Sequence, residues 1–437
     1  MSGTGPNRTA RTVELGCLLV FLILLCQPGR VPDPFGVGSD WSWPLICYCA
    51  TFILLLAHLG QQRRWTFTSF DVLLAIYLLA VVATWPTSFD RSNTLRWIVA
   101  LFGQLGLFWA LRTVFADSQL AGRLAITVFI VGIAVVQAQA LAFHVSEGLS
   151  VRLIGYPLPT GWSGYPELGL LSVVQFGLLI ATWASLERPA LRLVVLLLLS
   201  VNLLELVFLY SRMALVTAVV VAFVAGVRVV RLRRAWSYIA ILLATLLLLT
   251  VAVSKNQTAL SIVKSTVGFG QVGATPSMRF DIWRRSVRMI RDHALSGVGL
   301  GNFQAVYEPH YNPQLNRDGR RGGHAHNLWL HQAAEVGIPG GAACAAMWVA
   351  ILVIGWRRVS RPGGLPRLES AAAFLGLVAI ATRSLTDNMF FLTGAAPGRL
   401  YSLTWVLIAL LLGSTTAATH TAGLAGVGTP QSRLRNL

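Results

Sequence analysis

Charged residues are scarce in this sequence. Asp, Glu, Lys and Arg make up 12% of it, about half of the roughly 25% that a soluble globular protein carries. Hydrophobic residues fill 55% of the chain and gather in continuous runs of the length that a membrane-spanning helix needs. The runs do not alternate with polar residues, which argues against a β-barrel. We therefore predict an all-α, polytopic membrane protein.

Cysteine and acidic residues are also few. The five cysteines lie in or beside apolar runs, which excludes a secreted disulfide framework. Asp and Glu number 17 against 35 Lys and Arg, giving a net charge of +18. Nucleic-acid binding would explain such a charge, but most basic clusters fall between apolar runs, as in membrane proteins that follow the positive-inside rule. We expect no nucleic-acid partner.

About twelve spans fit the length criterion. Their approximate limits are 12–28 (an uncleaved first span), 42–60, 69–86, 95–112, 121–143, 166–185, 190–210, 213–230, 236–254, 328–356, 368–386 and 399–415. Arginine clusters follow alternate spans and so define one side, which we expect to be the cytoplasm, with both chain ends on it. The predicted domains are a nine-helix bundle at 1–254, a long periplasmic loop at 255–327, a three-helix bundle at 328–415 and a cytoplasmic tail at 416–437.

The long loop is the only extended polar segment, and it is basic. A helix is predicted from Pro276, with Arg284, Arg288 and Arg291 on one face. These arginines suit lipid headgroups or a substrate. Arg279 differs because it lies at the helix start, where backbone N–H groups favour an anion and a guanidinium can grip phosphate in a fork.

Three histidines stand where the loop enters the next apolar run: His324, His326 and His331. A titratable side chain at a membrane boundary is costly unless it is used, and histidine can take a proton from a hydroxyl. No carboxylate or cysteine cluster completes a metal site here, so we predict no metal and no cofactor. The alternative is that the histidines have only a packing or hydrogen-bonding role. His331 and Glu335, four residues apart, could form such a buried contact.

Two further features have competing interpretations. Arg212 lies in a tight turn and is either an arginine snorkelling to the headgroups or part of the site. The glycines of 297–301 resemble a phosphate-binding loop, but they end a helix where nucleotide motifs open one. A tight turn that folds the loop back onto the membrane fits better.

Together these motifs resemble the O-antigen ligase and polymerase superfamily. The resemblance rests on His326-Asn327 followed by Gly337 and Gly340-Gly341, on Arg279-Phe280-Asp281 running into the 297–303 segment, and on Ser211-Arg212. At the level of motifs it covers residues 200–341, and in hydropathy nearly the whole chain.

The resemblance implies a glycosyltransferase of the bacterial inner membrane with its site facing the periplasm. The donor would be a glycan on undecaprenyl diphosphate, and the acceptor a sugar hydroxyl of the lipid A core. His326 would be the general base, with Arg212 and Arg279 on the diphosphate and Arg288, His324 and Asn327 contributing to substrate binding. His324 is the alternative base, and Asp387-Asn388 could contact sugars.

Other functions remain open from the sequence. A polymerase joining lipid-linked repeats shares the motif, and Arg285 with Gly301 matches an Arg-x15-Gly pattern of polymerases at a spacing close to chance. A third branch transfers glycan to protein hydroxyls, but no extra soluble domain suggests it. A lipid-linked glycan transporter would place charges deep within its spans, whereas here they gather at span ends. A purely structural membrane scaffold would not need the histidine and arginines.

Overall fold

Every regular element in the described part of the chain is helical. A computed structural model describes residues 8–26, 39–60, 67–146, 165–209, 211–230, 276–312, 324–360, 367–386 and 399–413. The α-helices are α1 (Arg8–Cys26), α2 (Ser39–Gly60), α3 (Ser69–Ala83), α4 (Arg91–Asp117), α5 (Gln119–Ser146), α6 (Tyr165–Ser185), α7 (Pro189–Phe208), α8 (Arg212–Arg228), α9 (Pro276–Asp292), α10 (Phe303–Val306), α11 (Leu328–Val359), α12 (Leu368–Arg383) and α13 (Arg399–Gly413). The predicted all-α class is confirmed.

The apolar runs within the described residues form helices. Eight described helices are long and apolar enough to cross a membrane, and α8 and α13 contain shorter apolar helices. Eleven of the twelve predicted segments coincide with helices, while 236–254 lies outside the described residues. The limits 95–112 were too narrow, because Asp90 accepts a hydrogen bond from the Asn93 N–H at 3.0 Å and starts α4 at Arg91. The chain is a multi-pass membrane protein.

The centre of the bundle is formed by helices with no exposed side. All residues of α13 are buried, and α13 packs against α4 and α12, while α12 packs against α6. Helix α7 lies at the periphery, where Leu193 and Leu197 are 59% and 60% exposed. Lipid tails are as apolar as leucine, so these side chains suit a lipid-facing surface.

Several polar side chains inside the bundle are paired with each other. Arg112 Nη1 lies 2.7 Å from Asp71 Oδ1, which joins α4 to α3. Trp43 Nε1 donates to Ser402 Oγ at 2.8 Å, and Ser402 Oγ donates to Gln104 Oε1 at 2.6 Å. Because an unpaired polar group in an apolar interior is costly, these contacts fix how α2, α4 and α13 align.

Several connections meet at one end of the bundle, which we call the site end. The Phe89 N–H donates to the Val298 carbonyl at 3.0 Å, and the Leu328 N–H donates to the Ser384 carbonyl at 2.9 Å. Asn93 Nδ2 donates to the Gly301 carbonyl at 2.9 Å. The turn between α3 and α4, the segment after α9, the start of α11 and the end of α12 therefore lie together.

Candidate functional site

The glycine segment 297–301 is a docking turn, as the sequence predicted. Gly297, Gly299 and Gly301 have φ values of 64°, 95° and 82°, a region that suits glycine. A Cβ on Gly301 would lie 2.0 Å from the Trp97 ring. Asn302 Nδ2 donates to Thr94 Oγ1 at 3.0 Å. The segment thus lies directly on the start of α4, where its backbone approaches too closely for a side chain.

A kink in α11 receives the same segment. Gly337 interrupts the helix with a φ of 72°. Pro339 has no N–H to donate to the Glu335 carbonyl, and that carbonyl accepts the Gly299 N–H at 2.9 Å instead. The Ile338 N–H donates to the Ala294 carbonyl at 2.7 Å. Gly337 of the sequence signature and the neighbouring Pro339 therefore free backbone groups of α11 to bind the loop.

His326 lies at the start of α11 in a backbone conformation that is rare outside glycine. Its φ is 48°, which costs roughly 1–2 kcal/mol for a residue with a Cβ. The His326 N–H donates to His324 Nδ1 at 3.2 Å, and the two rings are 4.0 Å apart between centroids. Both side chains are half-buried. The two imidazole rings therefore lie side by side, and both are partly accessible to solvent.

Asn327 holds the histidines on the helix end. Its Oδ1 accepts the Leu330 N–H at 3.0 Å and caps α11. Its Nδ2 donates to the Leu385 carbonyl at 2.9 Å. The side chain that the sequence marked for substrate binding has both polar atoms engaged with the protein, which makes it a structural cap next to His326.

Helix α9 is tied to the histidine segment through Trp283. The indole Nε1 donates to the Ala325 carbonyl at 3.0 Å. Arg279 lies one helical turn before Trp283 and so on the same face of α9. The Arg279 side chain is half-buried, and its Nε has no hydrogen-bond partner among the described residues. A buried guanidinium nitrogen without a partner suits an anionic ligand.

The other arginines of α9 do not join this group. Arg284, Arg288 and Arg291 are exposed, and Arg288 lies two and a half turns from Arg279, which puts it on the opposite face. Arg285 Nη1 donates to the Tyr311 carbonyl at 3.2 Å and to Asn312 Oδ1. Arg285 is thereby engaged in packing the loop, a role that the Arg-x15-Gly pattern did not predict.

Arg212 is located by its backbone. It is the first residue of α8, and Ser211 Oγ caps the helix by accepting the Ala214 N–H at 3.3 Å. Helix α8 packs against α12, whose end holds the Leu328 backbone at the site end. Asp387 and Asn388, the other candidates for sugar contact, lie outside the described residues.

The sequence interpretation missed two buried arginines and the tether between α9 and the histidines. Arg383 ends α12 beside Ser384, and Arg399 begins α13; both are buried. Their positions at helix ends were visible in the sequence, but their burial was not. Within the described ranges, no group of three or more His, Cys, Asp and Glu is placed to hold a metal ion.

A comparison with known protein families finds a match that includes the segments of the candidate site. Residues 193–345 match the family described as O-Antigen ligase. The matched range includes α8, α9 and the first half of α11, and it confirms the resemblance drawn from the motifs. No curated protein matches the chain.

Proposed function

Because residues 193–345 match the O-antigen ligase family, we propose that this membrane protein is a glycosyltransferase of the ligase type. Its donor is a glycan on undecaprenyl diphosphate, and its acceptor is a sugar hydroxyl of the lipid A core. The reaction takes place on the periplasmic side of the bacterial inner membrane. The observation that carries the proposal is the Trp283–Ala325 hydrogen bond, which holds a phosphate-binding arginine and a candidate base in one unit.

In the proposed reaction, the acceptor oxygen attacks the anomeric carbon of the donor sugar. The bond from that carbon to the diphosphate oxygen breaks, and undecaprenyl diphosphate leaves with the bonding electrons. His326 takes the proton of the acceptor hydroxyl. Arg279 and Arg212 bind the diphosphate and stabilise the negative charge that develops on it. The energy comes from the phosphate ester, so the chemistry needs no nucleotide.

The remaining residues have supporting roles in this proposal. His324 lies close enough to His326 to contact the same sugar. Asn327 holds the helix end, and the exposed face with Arg288 suits anionic headgroups near the acceptor. A polymerase, which shares the motif, is the second candidate, although Arg285 of the Arg-x15-Gly match is hydrogen-bonded within the loop.

Replacing the proposed base tests the function. We expect His326→Ala to lower the transfer rate about 10²–10⁴-fold, the usual contribution of a general base. The measurement complements a gene deletion in the native host and compares lipopolysaccharide with the undecaprenyl-linked glycan. His310→Ala is the matched control, since His310 is an exposed histidine of the same loop.

Each outcome of this experiment has a distinct meaning. Long glycan accumulating on the carrier while the lipid A core stays bare supports a ligase. A core that carries a single repeat indicates a polymerase. Two normal glycan pools in the deletion strain contradict glycan transfer in this pathway. A normal rate in His326→Ala with an inactive His324→Ala moves the base to His324.

A further inference from the structure

A buried pair lies one turn inside α11, behind the histidine segment. His331 and Glu335 are 3% and 1% exposed, and His331 Nε2 lies 3.3 Å from Glu335 Oε1. The same oxygen accepts the Phe303 N–H at 3.1 Å. The Phe303 ring packs on the imidazole with centroids 4.7 Å apart. The imidazole is therefore fixed in both position and plane.

The other nitrogen of His331 contacts the backbone next to His326. The Ala325 N–H points to His331 Nδ1 at 3.5 Å. Since Nδ1 accepts this N–H, the ring proton lies on Nε2 and is donated to Glu335. His331 thus links the buried carboxylate to Ala325, the residue just before His326.

Both backbone polar groups of Ala325, on the two peptide units that flank its Cα, are hydrogen-bonded. Its N–H is bound by His331, and its carbonyl by Trp283. His326 follows directly, in its left-handed conformation. A strained residue keeps such a conformation when surrounding contacts over-determine it, and these two hydrogen bonds are among the contacts that do so.

We infer that His331 and Glu335 are a positioning pair for the catalytic histidine. The inference rests on the proposed function, in which His326 takes the proton of the acceptor. His331 does not touch the substrate. It sets the Ala325 backbone, and through it the direction of the His326 imidazole, while Glu335 holds the His331 tautomer that this requires.

The test compares two substitutions of His331 in the full-length protein. His331→Gln keeps an acceptor oxygen for Ala325 and an N–H group for Glu335, whereas His331→Leu keeps bulk and loses both. Displacing a reacting group by about 1 Å can cost about 100-fold in rate. We therefore expect kcat to fall about 10- to 100-fold in His331→Leu, with KM for the lipid-linked donor changed less than about 3-fold. His331→Gln should recover most of the rate.

The readout is kcat and KM of purified protein with a polyprenyl-diphosphate-linked glycan and an acceptor glycolipid. If His331→Leu does not accumulate in the membrane, His331→Asn replaces it, because its amide is one methylene too short to reach both partners. Equal loss in the Gln and Leu (or Asn) variants overturns the inference, as does full activity in all of them.

His326→Ala in the same assay separates this inference from the proposed function. If His326→Ala is inactive and His331→Leu is fully active, only the positioning role fails. If His326→Ala is fully active, the assignment of His326 as the base fails whatever the His331 variants do, and the proposed transfer fails as well if His324→Ala is also fully active.

Discussion

Gly337 shows at the scale of one residue why this position of α11 requires a glycine. Its φ is 72°, and a Cβ there would lie 2.3 Å from the Leu295 carbonyl oxygen. Both the backbone angle and the close approach are required for the Ile338 N–H to reach Ala294. Gly337 therefore affects the candidate site by allowing the loop after α9 to pack against α11, and not by contacting a ligand.

We expect Gly337→Ala to reduce glycan transfer at least about 10-fold and to lower thermal stability, since a φ of 72° with a ψ of 173° is a conformation essentially restricted to glycine and costs about 1–3 kcal/mol with a Cβ. Transfer rate and melting temperature of the purified protein check this. Gly226→Ala is the matched control, because nothing lies within 4 Å of a Cβ there. Equal activity of the two variants would contradict the docking role of Gly337.

Candidate site residues could be selected from the sequence more readily than their contacts. His326, Arg279 and the glycines were recognisable because they are unusual residues at the edge of apolar segments. The roles of Asn327 and Arg285 were not, because each depends on a carbonyl elsewhere in the chain: Leu385 for Asn327 and Tyr311 for Arg285. Spacing within the sequence carries no information about such partners.

At the scale of elements, α9 matters as the link between arginine and histidine. We expect Trp283→Phe, which removes the indole N–H and keeps an aromatic ring, to lower kcat about 3- to 10-fold, since a typical net hydrogen bond contributes about 0.5–1.5 kcal/mol. Trp85→Phe is the control, since it removes an indole bond to the Arg91 carbonyl at 3.2 Å. The prediction is wrong if both variants retain the same kcat.

The helices themselves could be predicted closely from the sequence. A continuous apolar run must satisfy its backbone within the segment, which leaves an α-helix as the solution, and α2, α6 and α13 begin and end near the predicted residues. The interruption of α11 was not predicted. Pro339 indicates that one helical hydrogen bond is missing. The sequence does not show which N–H replaces it, because that donor comes from the loop that packs against α11.

At the scale of the whole molecule, the orientation of the bundle stays a prediction from arginine placement. We expect a membrane-impermeant maleimide to label Leu295→Cys in intact spheroplasts, because Leu295 is 83% exposed at the site end. Ser360→Cys, at the other end of α11, should react only after permeabilisation. The unsubstituted protein gives the background from native cysteines. The reverse pattern would place the site in the cytoplasm and contradict a periplasmic acceptor.

The contacts that close the bundle join distant parts of the chain, and this bears on how the protein is made. Trp43 bonds Ser402, Asn93 bonds Gly301, and Asn327 bonds Leu385. During synthesis, the first spans enter the membrane long before their partners leave the ribosome. The polar groups of α2 and α4 therefore lack their hydrogen-bond partner until α13 is inserted. Without α13, Trp43 and Gln104 would lack their shared partner Ser402, so the alignment of α2 with α4 is completed only when α13 enters the membrane.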